Sequence, residues 1–157
     1  MILCTMECPT RRPQNPKMQT EMSSRTAAGG GYSLQYQCCL RGGDGNICNS
    51  YGPAPGASQE LEILHQSSLL TLLEPGECVV ASADFPVCPG VVTTKDFDTL
   101  LGGGEGDCGE SEAVRRDLKS LRQSGRRTME VLKSFRRLTE SWRYELDEHG
   151  TVFLVCR

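Results

Sequence analysis

The apolar residues of this chain are concentrated in its second part. Residues 1–58 hold five of the 33 Leu, Ile, Val and Phe residues, and residues 59–157 hold the other 28. Glycine and proline recur through the first part, for example at 29–31 and 52–56, and both interrupt regular structure. A segment with so few apolar side chains cannot offset the entropy of ordering its backbone. The pattern therefore predicts a disordered region over 1–58, in which only Tyr32–Leu40 could form a short strand.

A leucine-rich segment follows from 59 to 101. Ser58 is a candidate N-cap and the pair Pro75-Gly76 is a stop, so the spacing predicts a helix over 59–73 with its leucines along one side. The β-branched stretches 78–81 and 91–94 then allow a loose β-hairpin. Residues 102–110 are predicted to form an acidic, glycine-rich linker.

The last segment, 111–157, has the clearest periodicity. Apolar and small residues recur in steps of three and four, which predicts an amphipathic helix over 111–146, about 54 Å long at 1.5 Å per residue. We expect a bend at Gly125, a turn at 147–150 and a short terminal strand over 151–156. The positions that form the seam are Val114, Leu118, Leu121, Gly125, Thr128, Leu132, Phe135, Thr139 and Trp142.

Together these elements predict a mostly α protein with large disordered regions, a long C-terminal amphipathic helix and a short terminal strand. The few remaining apolar residues cannot cover so long a helix, so we expect it to pair with itself or with another helix as a coiled coil. The alternative is a small compact α+β domain, in which the helix packs on strands from 78–94 and 151–156.

Charge is strongly segregated, although the net charge is only −3. Between Arg115 and Arg143 ten basic residues accompany three acidic ones, a local charge of +7. A basic amphipathic helix is typical of calmodulin targets, anionic membrane surfaces and nucleic-acid phosphate, and the alternative is a solvated coiled-coil surface. Membrane and nucleic acid stay open at this point, and a protein partner is expected first.

The predicted partner-binding surface combines apolar side chains for affinity with arginines that select an acidic partner. Thr139 follows Arg136-Arg137-Leu138, a form that basic-directed kinases recognise, and its phosphorylation would oppose helix pairing. The partner-binding set is Leu118, Leu121, Leu132, Phe135, Leu138, Trp142, Arg136 and Arg137.

Two short motifs are candidate docking peptides. The segment 69–73 fits LxxLL, with Leu69, Leu72 and Leu73 as anchors, and is similar to the motif that docks into nuclear-receptor ligand-binding domains. The segment 95–101 is an acidic FxxLL version and is similar to parts of transcriptional activation domains. Ordinary core packing and a capped turn are the alternatives. The anchors of the second motif are Phe97, Leu100 and Leu101.

The sequence shows no recognisable catalytic or metal centre. His65 and His149 are isolated, and the nine cysteines lack the paired short spacings of a zinc site. A GxGxxG match at 104–109 contains two acidic residues that would repel a phosphate. With no apolar stretch typical of a signal peptide, we expect reduced thiols and a cytoplasmic or nuclear location rather than secretion.

These features predict a non-enzymatic intracellular adaptor or regulatory protein that acts through helix-mediated protein interaction. No cofactor and no small-molecule substrate are expected. One alternative is a transcriptional co-regulator that docks through its LxxLL-like motifs, and another is a compact α+β binding domain.

Overall fold

A five-stranded mixed sheet organises the parts of the chain that the computed structural model describes, which are residues 1–25, 30–96, 108–143 and 146–156. The strand order is β3-β2-β1-β4-β5, with β1, β2 and β3 antiparallel to one another and β1, β4 and β5 parallel. The strands are β1 (Ile2–Thr10), β2 (Tyr32–Leu40), β3 (Ile47–Pro55), β4 (Val79–Ala81) and β5 (Val91–Thr93).

Helices cover both faces of this sheet. The helices α3 and α4 pack on β1, and α5 packs on β3. On the opposite face α2 packs on β2 and β3, and a 3-10 turn over Leu69–Leu72 follows it. The helices are α1 (Pro16–Glu21), α2 (Glu60–Gln66), α3 (Cys108–Ser134), α4 (Arg136–Thr139) and α5 (Leu146–Cys156).

Alternation along β1 divides the core in two. Successive side chains of a strand point to opposite faces. Accordingly Ile2, Met6 and Cys8 join the core under α3 and α5, whereas Leu3 joins the core under α2. Strand β2, which lies between β1 and β3, is buried at every position except Tyr32.

Two glutamines lie within this buried strand. The side-chain amide of Gln35 donates to the carbonyl of Gly56, and that of Gln37 donates to the carbonyl of Glu60 at 3.0 Å. Buried polar groups are costly unless they are hydrogen-bonded, so these contacts tie β2 to the start of α2.

Aromatic stacking joins the last helix to the sheet. The rings of Tyr36 and Phe153 stack at 3.9 Å with an interplanar angle of 5°. The Tyr36 hydroxyl lies 2.8 Å from Nδ1 of His149, and the Trp142 ring meets the His149 ring edge-on at 4.8 Å. Burial lowers the pKa of His149, so the imidazole is held in its neutral form.

The prediction of a mostly α protein with large disordered regions is wrong. Residues 1–58, expected to be disordered, contain β1, β2 and β3, which form more than half of the sheet. The count of Leu, Ile, Val and Phe left out the cysteine, methionine and tyrosine side chains that fill this core. The buried examples are Met6, Cys8, Met22, Tyr36, Cys38 and Cys39.

Two β elements expected from the sequence also differ from what the structure contains. Residues 151–156 belong to helix α5 rather than to a terminal strand, because His149, Phe153 and Cys156 recur at helical spacing on the sheet side while Leu154 and Val155 are exposed. The strands β4 and β5 pair in parallel, so they do not form a hairpin.

The prediction of a long helix that pairs with itself or with another helix is wrong as well. Helix α3 ends at Ser134, and the backbone becomes extended at Phe135 rather than bending at Gly125. The end of β1 holds the following segment: the amide of Trp142 donates to the carbonyl of Pro9 at 2.9 Å, and the amide of Arg11 donates to the carbonyl of Trp142 at 3.0 Å. The apolar stripe is covered by the sheet of its own chain, so a coiled-coil partner is not needed to bury it.

Replacing Gly125 by alanine is expected to stabilise the fold. An added Cβ would lie 3.6 Å from Sγ of Cys4, Cδ1 of Ile2 and Cδ1 of Leu40, an ordinary contact distance. Because glycine inside a helix costs about 1 kcal/mol relative to alanine, Gly125→Ala should raise the free energy of unfolding by about that amount. Urea denaturation followed by circular dichroism measures this.

Gly45→Ala is the matched control. Its φ is +71°, and an added Cβ would meet Oγ1 of Thr128 at 3.0 Å, so this variant should be destabilised. A loss of stability in Gly125→Ala comparable with that in Gly45→Ala would contradict the packing described for α3.

Acid is expected to weaken the fold through His149. Its pKa is lower in the folded than in the unfolded chain, so the unfolded state binds more protons as the pH falls below about 6.5. The stability supplied by the neutral ring is present above that pH and is lost progressively below it. Urea midpoints measured from pH 8 to pH 5 should fall for the natural chain and fall less for His149→Gln. An unchanged slope in His149→Gln would count against this assignment.

Candidate functional crevice

An open crevice of about 600 Å³ lies where β4 ends beside β1. Ile2 pairs with Val80, and two residues further along both strands Cys4 and Ser82 line the crevice. From β1 the chain continues to β2, which lies on one side of β1 in the sheet, whereas β4 lies on the other side of β1. The crevice between β1 and β4 is therefore at the switch point of the sheet. Such a point is where open α/β sheets most often bind ligands.

Helix α3 forms the opposite wall of the crevice. Leu118, Leu121 and Met129 contribute apolar surface, and Gly125 allows the helix backbone to come close to Cys4. The absence of a side chain at Gly125 therefore helps to set the depth of the crevice.

The charged side chains of the crevice are predominantly basic. Arg122, Arg126 and Lys133 line it together with a single acid, Glu130. All four side chains are exposed, and none of the three cations forms an ion pair within the described part of the chain. Positions four apart lie on the same side of a helix, so Arg122 and Arg126 point to the same rim.

Cys4 and Ser82 are not activated as nucleophiles. Burial raises the pKa of the Cys4 thiol, which keeps it protonated at neutral pH. Neither histidine lines the crevice, since His149 contacts Tyr36 and Nε2 of His65 lies 3.8 Å from Sγ of Cys88. The described crevice residues thus hold no base beside a nucleophile.

The acidic residue of β1 points away from the crevice. Glu7 is an odd number of residues from Cys4 and lies on the other face, where its carboxylate accepts hydrogen bonds from Oγ of Ser24 at 2.6 Å and from Oγ of Ser33 at 3.2 Å. Across residues 1–25, 30–96, 108–143 and 146–156, no group of three or more His, Cys, Asp or Glu side chains could hold a metal ion.

The predicted partner-binding residues are divided between the core and the surface. Leu118, Leu132, Leu138 and Trp142 are buried within the chain, and Leu121 is half-buried in the crevice wall. Phe135 is 40% exposed, whereas Arg136 and Arg137 are exposed on α4, with Nη2 of Arg136 2.8 Å from Glu140. A binding role for this set stays a prediction.

The docking motifs are only partly described. Leu69 is buried, Leu73 is half-buried and Leu72 is 65% exposed, and the segment forms a 3-10 turn rather than a two-turn α-helix. Phe97, Leu100 and Leu101 lie outside the described residues. Thr139 is exposed on α4, so its modification stays a prediction.

Sequence analysis missed the crevice itself. Cys4 and Ser82 are far apart in the chain, and only the parallel pairing of β1 with β4 brings them together. Arg122, Arg126 and Lys133 were included in the basic run, but nothing in their spacing showed that they border a crevice. In the described residues we find no helix with the length and apolar character needed to cross a bilayer.

Comparison with known proteins gives one family. A family model described as "DDE superfamily endonuclease" matches residues 3–157, which is nearly the entire chain. No curated protein and no solved structure gives a significant match.

This match overturns the expected function. An endonuclease family implies a nucleic-acid substrate and divalent metal ions. The expectation of a non-enzymatic adaptor or regulatory protein, with a co-regulator or a compact binding domain as alternatives, is therefore wrong. The expected partners, calmodulin or another acidic protein or a second copy of the helix, are also wrong because nucleic acid takes their place.

The crevice does not fit the implied metal ions. Nucleases with two metal ions hold them about 3.5–4 Å apart, and hard divalent cations are bound through oxygen ligands, carboxylates above all. Here Cys4 offers a protonated thiol, Ser82 a neutral hydroxyl and Gly125 no side chain, and three cations line the rim.

Family membership rests on the family model, which covers residues 3–157 and therefore nearly the whole chain. The chain belongs to the DDE superfamily endonucleases.

Proposed function

We propose that this chain acts on double-stranded nucleic acid, which it holds by the phosphate backbone along α3 and α4. The observation that supports this most is the basic surface of these helices beside the crevice. All ten basic residues between Arg115 and Arg143 are exposed, against three acidic ones. Phosphate contacts of this kind supply most of the affinity of proteins for nucleic acid without sequence preference.

The charge distribution favours one orientation of binding. The segment from Arg115 to Arg143 has a charge of +7 and the chain as a whole has −3, which leaves −10 for the remainder. A duplex approaching the basic helices is attracted, whereas the rest of the surface repels it. Because the basic residues are gathered in one segment, a chain with a net charge of −3 can still attract nucleic acid at that segment.

The length of α3 suits a duplex. Its 27 residues span about 40 Å at 1.5 Å per residue. Since phosphates of one strand recur about every 3.4 Å along the duplex axis, a helix of this length passes roughly a dozen of them. Several of its basic side chains can therefore contact phosphates at once.

The scarcity of exposed aromatic side chains among the described residues favours a duplex over a single strand. Single-strand binding proteins stack unpaired bases on aromatic rings. Among the described residues Phe135 is the one exposed aromatic side chain, because Trp142 is buried against His149. The surface is thus charged but offers few platforms for stacking.

Charge reversal on α3 should weaken duplex binding. Arg122→Glu with Arg126→Glu is expected to reduce the affinity for a short fluorescent duplex at least about tenfold, because two phosphate contacts are lost and repulsion replaces them. It should also lower the slope of log K against log salt by about 2. Fluorescence anisotropy at several salt concentrations measures both quantities.

Arg11→Glu with Arg12→Glu is the matched control. It makes the same change of charge at exposed positions just after β1. This control should leave duplex affinity within about twofold of the natural chain, since nonspecific long-range effects of net charge are screened at moderate salt. Equal losses in the two variants, or tighter binding of a single strand than of the duplex, would contradict the proposed surface.

A further inference from the structure

We infer that the crevice holds a nucleic-acid phosphate directly on Arg122, Arg126 and Lys133, without divalent metal ions. This rests on the proposed function and adds to it the place and the chemistry of the central contact.

Among the described residues that line the crevice, Glu130 is the one carboxylate, and a metal ion would need several oxygen ligands. At the positions nearest the sheet, Cys4, Ser82 and Gly125 provide no carboxylate. The acids close in sequence lie in a neighbouring cavity that shares Lys133 with the crevice. There Glu7 accepts hydrogen bonds from two serines on the other face of the sheet, and Asp84 lies 3.5 Å from Nζ of Lys95. A divalent cation would gain little here and would be repelled by three cations.

The same cations suit a phosphate. A guanidinium presents its donors in a planar fork that matches two phosphate oxygens, and charge-assisted hydrogen bonds of this kind are among the stronger ones in proteins. Arg122 and Arg126, four residues apart on α3, have Cβ atoms about 6 Å apart. Their long side chains can therefore converge on one phosphate group, with Lys133 approaching from the next turns of the helix.

The charges around the crevice favour this contact. The three cations lie exposed at its rim, where a phosphate of a duplex can reach them. The Cys4 thiol adds no negative charge beside the phosphate, since burial keeps it protonated. Among the described residues Glu130 is the one acid that lines the crevice, and it is outnumbered by the three cations.

The experiment compares duplex binding with and without metal ions. The full chain is titrated against a fluorescent duplex in EDTA, in Mg²⁺ and in Mn²⁺ at equal ionic strength, and the duplex is recovered and tested for strand cleavage. We expect binding in EDTA to be at least as tight as with either metal, because free Mg²⁺ and Mn²⁺ compete for the same phosphates.

A second comparison places the contact on α3. Arg116 and Arg127 are exposed on the same helix but do not line the crevice. Arg116→Glu with Arg127→Glu makes the same change of charge as Arg122→Glu with Arg126→Glu, and the crevice pair is expected to lose at least about tenfold more affinity. Circular dichroism of each variant checks that these surface changes leave the fold intact.

The possible outcomes separate the two proposals. Binding that tightens more than about tenfold with Mg²⁺ or Mn²⁺, or cleavage that requires either metal, would overturn the metal-free contact and leave the proposed function standing. Equal losses in the two α3 variants would likewise overturn the crevice as the place of contact. An absence of duplex binding in all three solutions would overturn the proposed function itself.

Discussion

The packing of α3 on β1 is the contact on which both the core and the crevice depend. Gly125 brings the helix backbone to the side chains of Ile2 and Cys4, and the apolar residues of α3 then close the core on one side and line the crevice on the other. An alanine methyl group fits at position 125, but a longer inward side chain there would need a wider separation, which would loosen the core. One close approach between a helix and a strand thus determines both stability and the shape of the candidate site.

Family membership and local chemistry give different information about this protein. The match over nearly the whole chain places it among the DDE superfamily endonucleases. The crevice, however, is lined by three cations, one described carboxylate and neutral side chains. A fold can keep its affinity for phosphate while the groups that hold metal ions change, because phosphate binding needs only positive charge and hydrogen-bond donors. The side chains of the crevice therefore decide which ligand it can hold.

Buried polar side chains in β1 and β2 depend on hydrogen bonds that only the folded chain supplies. In β2, Gln35 and Gln37 occupy buried positions where apolar residues are usual, and each donates to a carbonyl at or near the start of α2. Glu7 in β1 is held in the same way by two serine hydroxyls. Such residues weaken the apolar alternation on which strand prediction depends, although in the folded protein each glutamine amide nitrogen has a carbonyl acceptor.

The sequence by itself determined the charge of the last third of the chain and the helical spacing that places Leu118 and Leu132 on one side of α3, because both are properties of nearby residues. It indicated β2 as a possible strand over Tyr32–Leu40 but could not show β1 and β3, since the face of β1 is buried only once β2, β4 and α3 are in place. Nor could it place the crevice, which pairs Cys4 with the distant Ser82. Only the tertiary structure decided these features, because burial and the approach of distant strands are collective properties that no local pattern encodes.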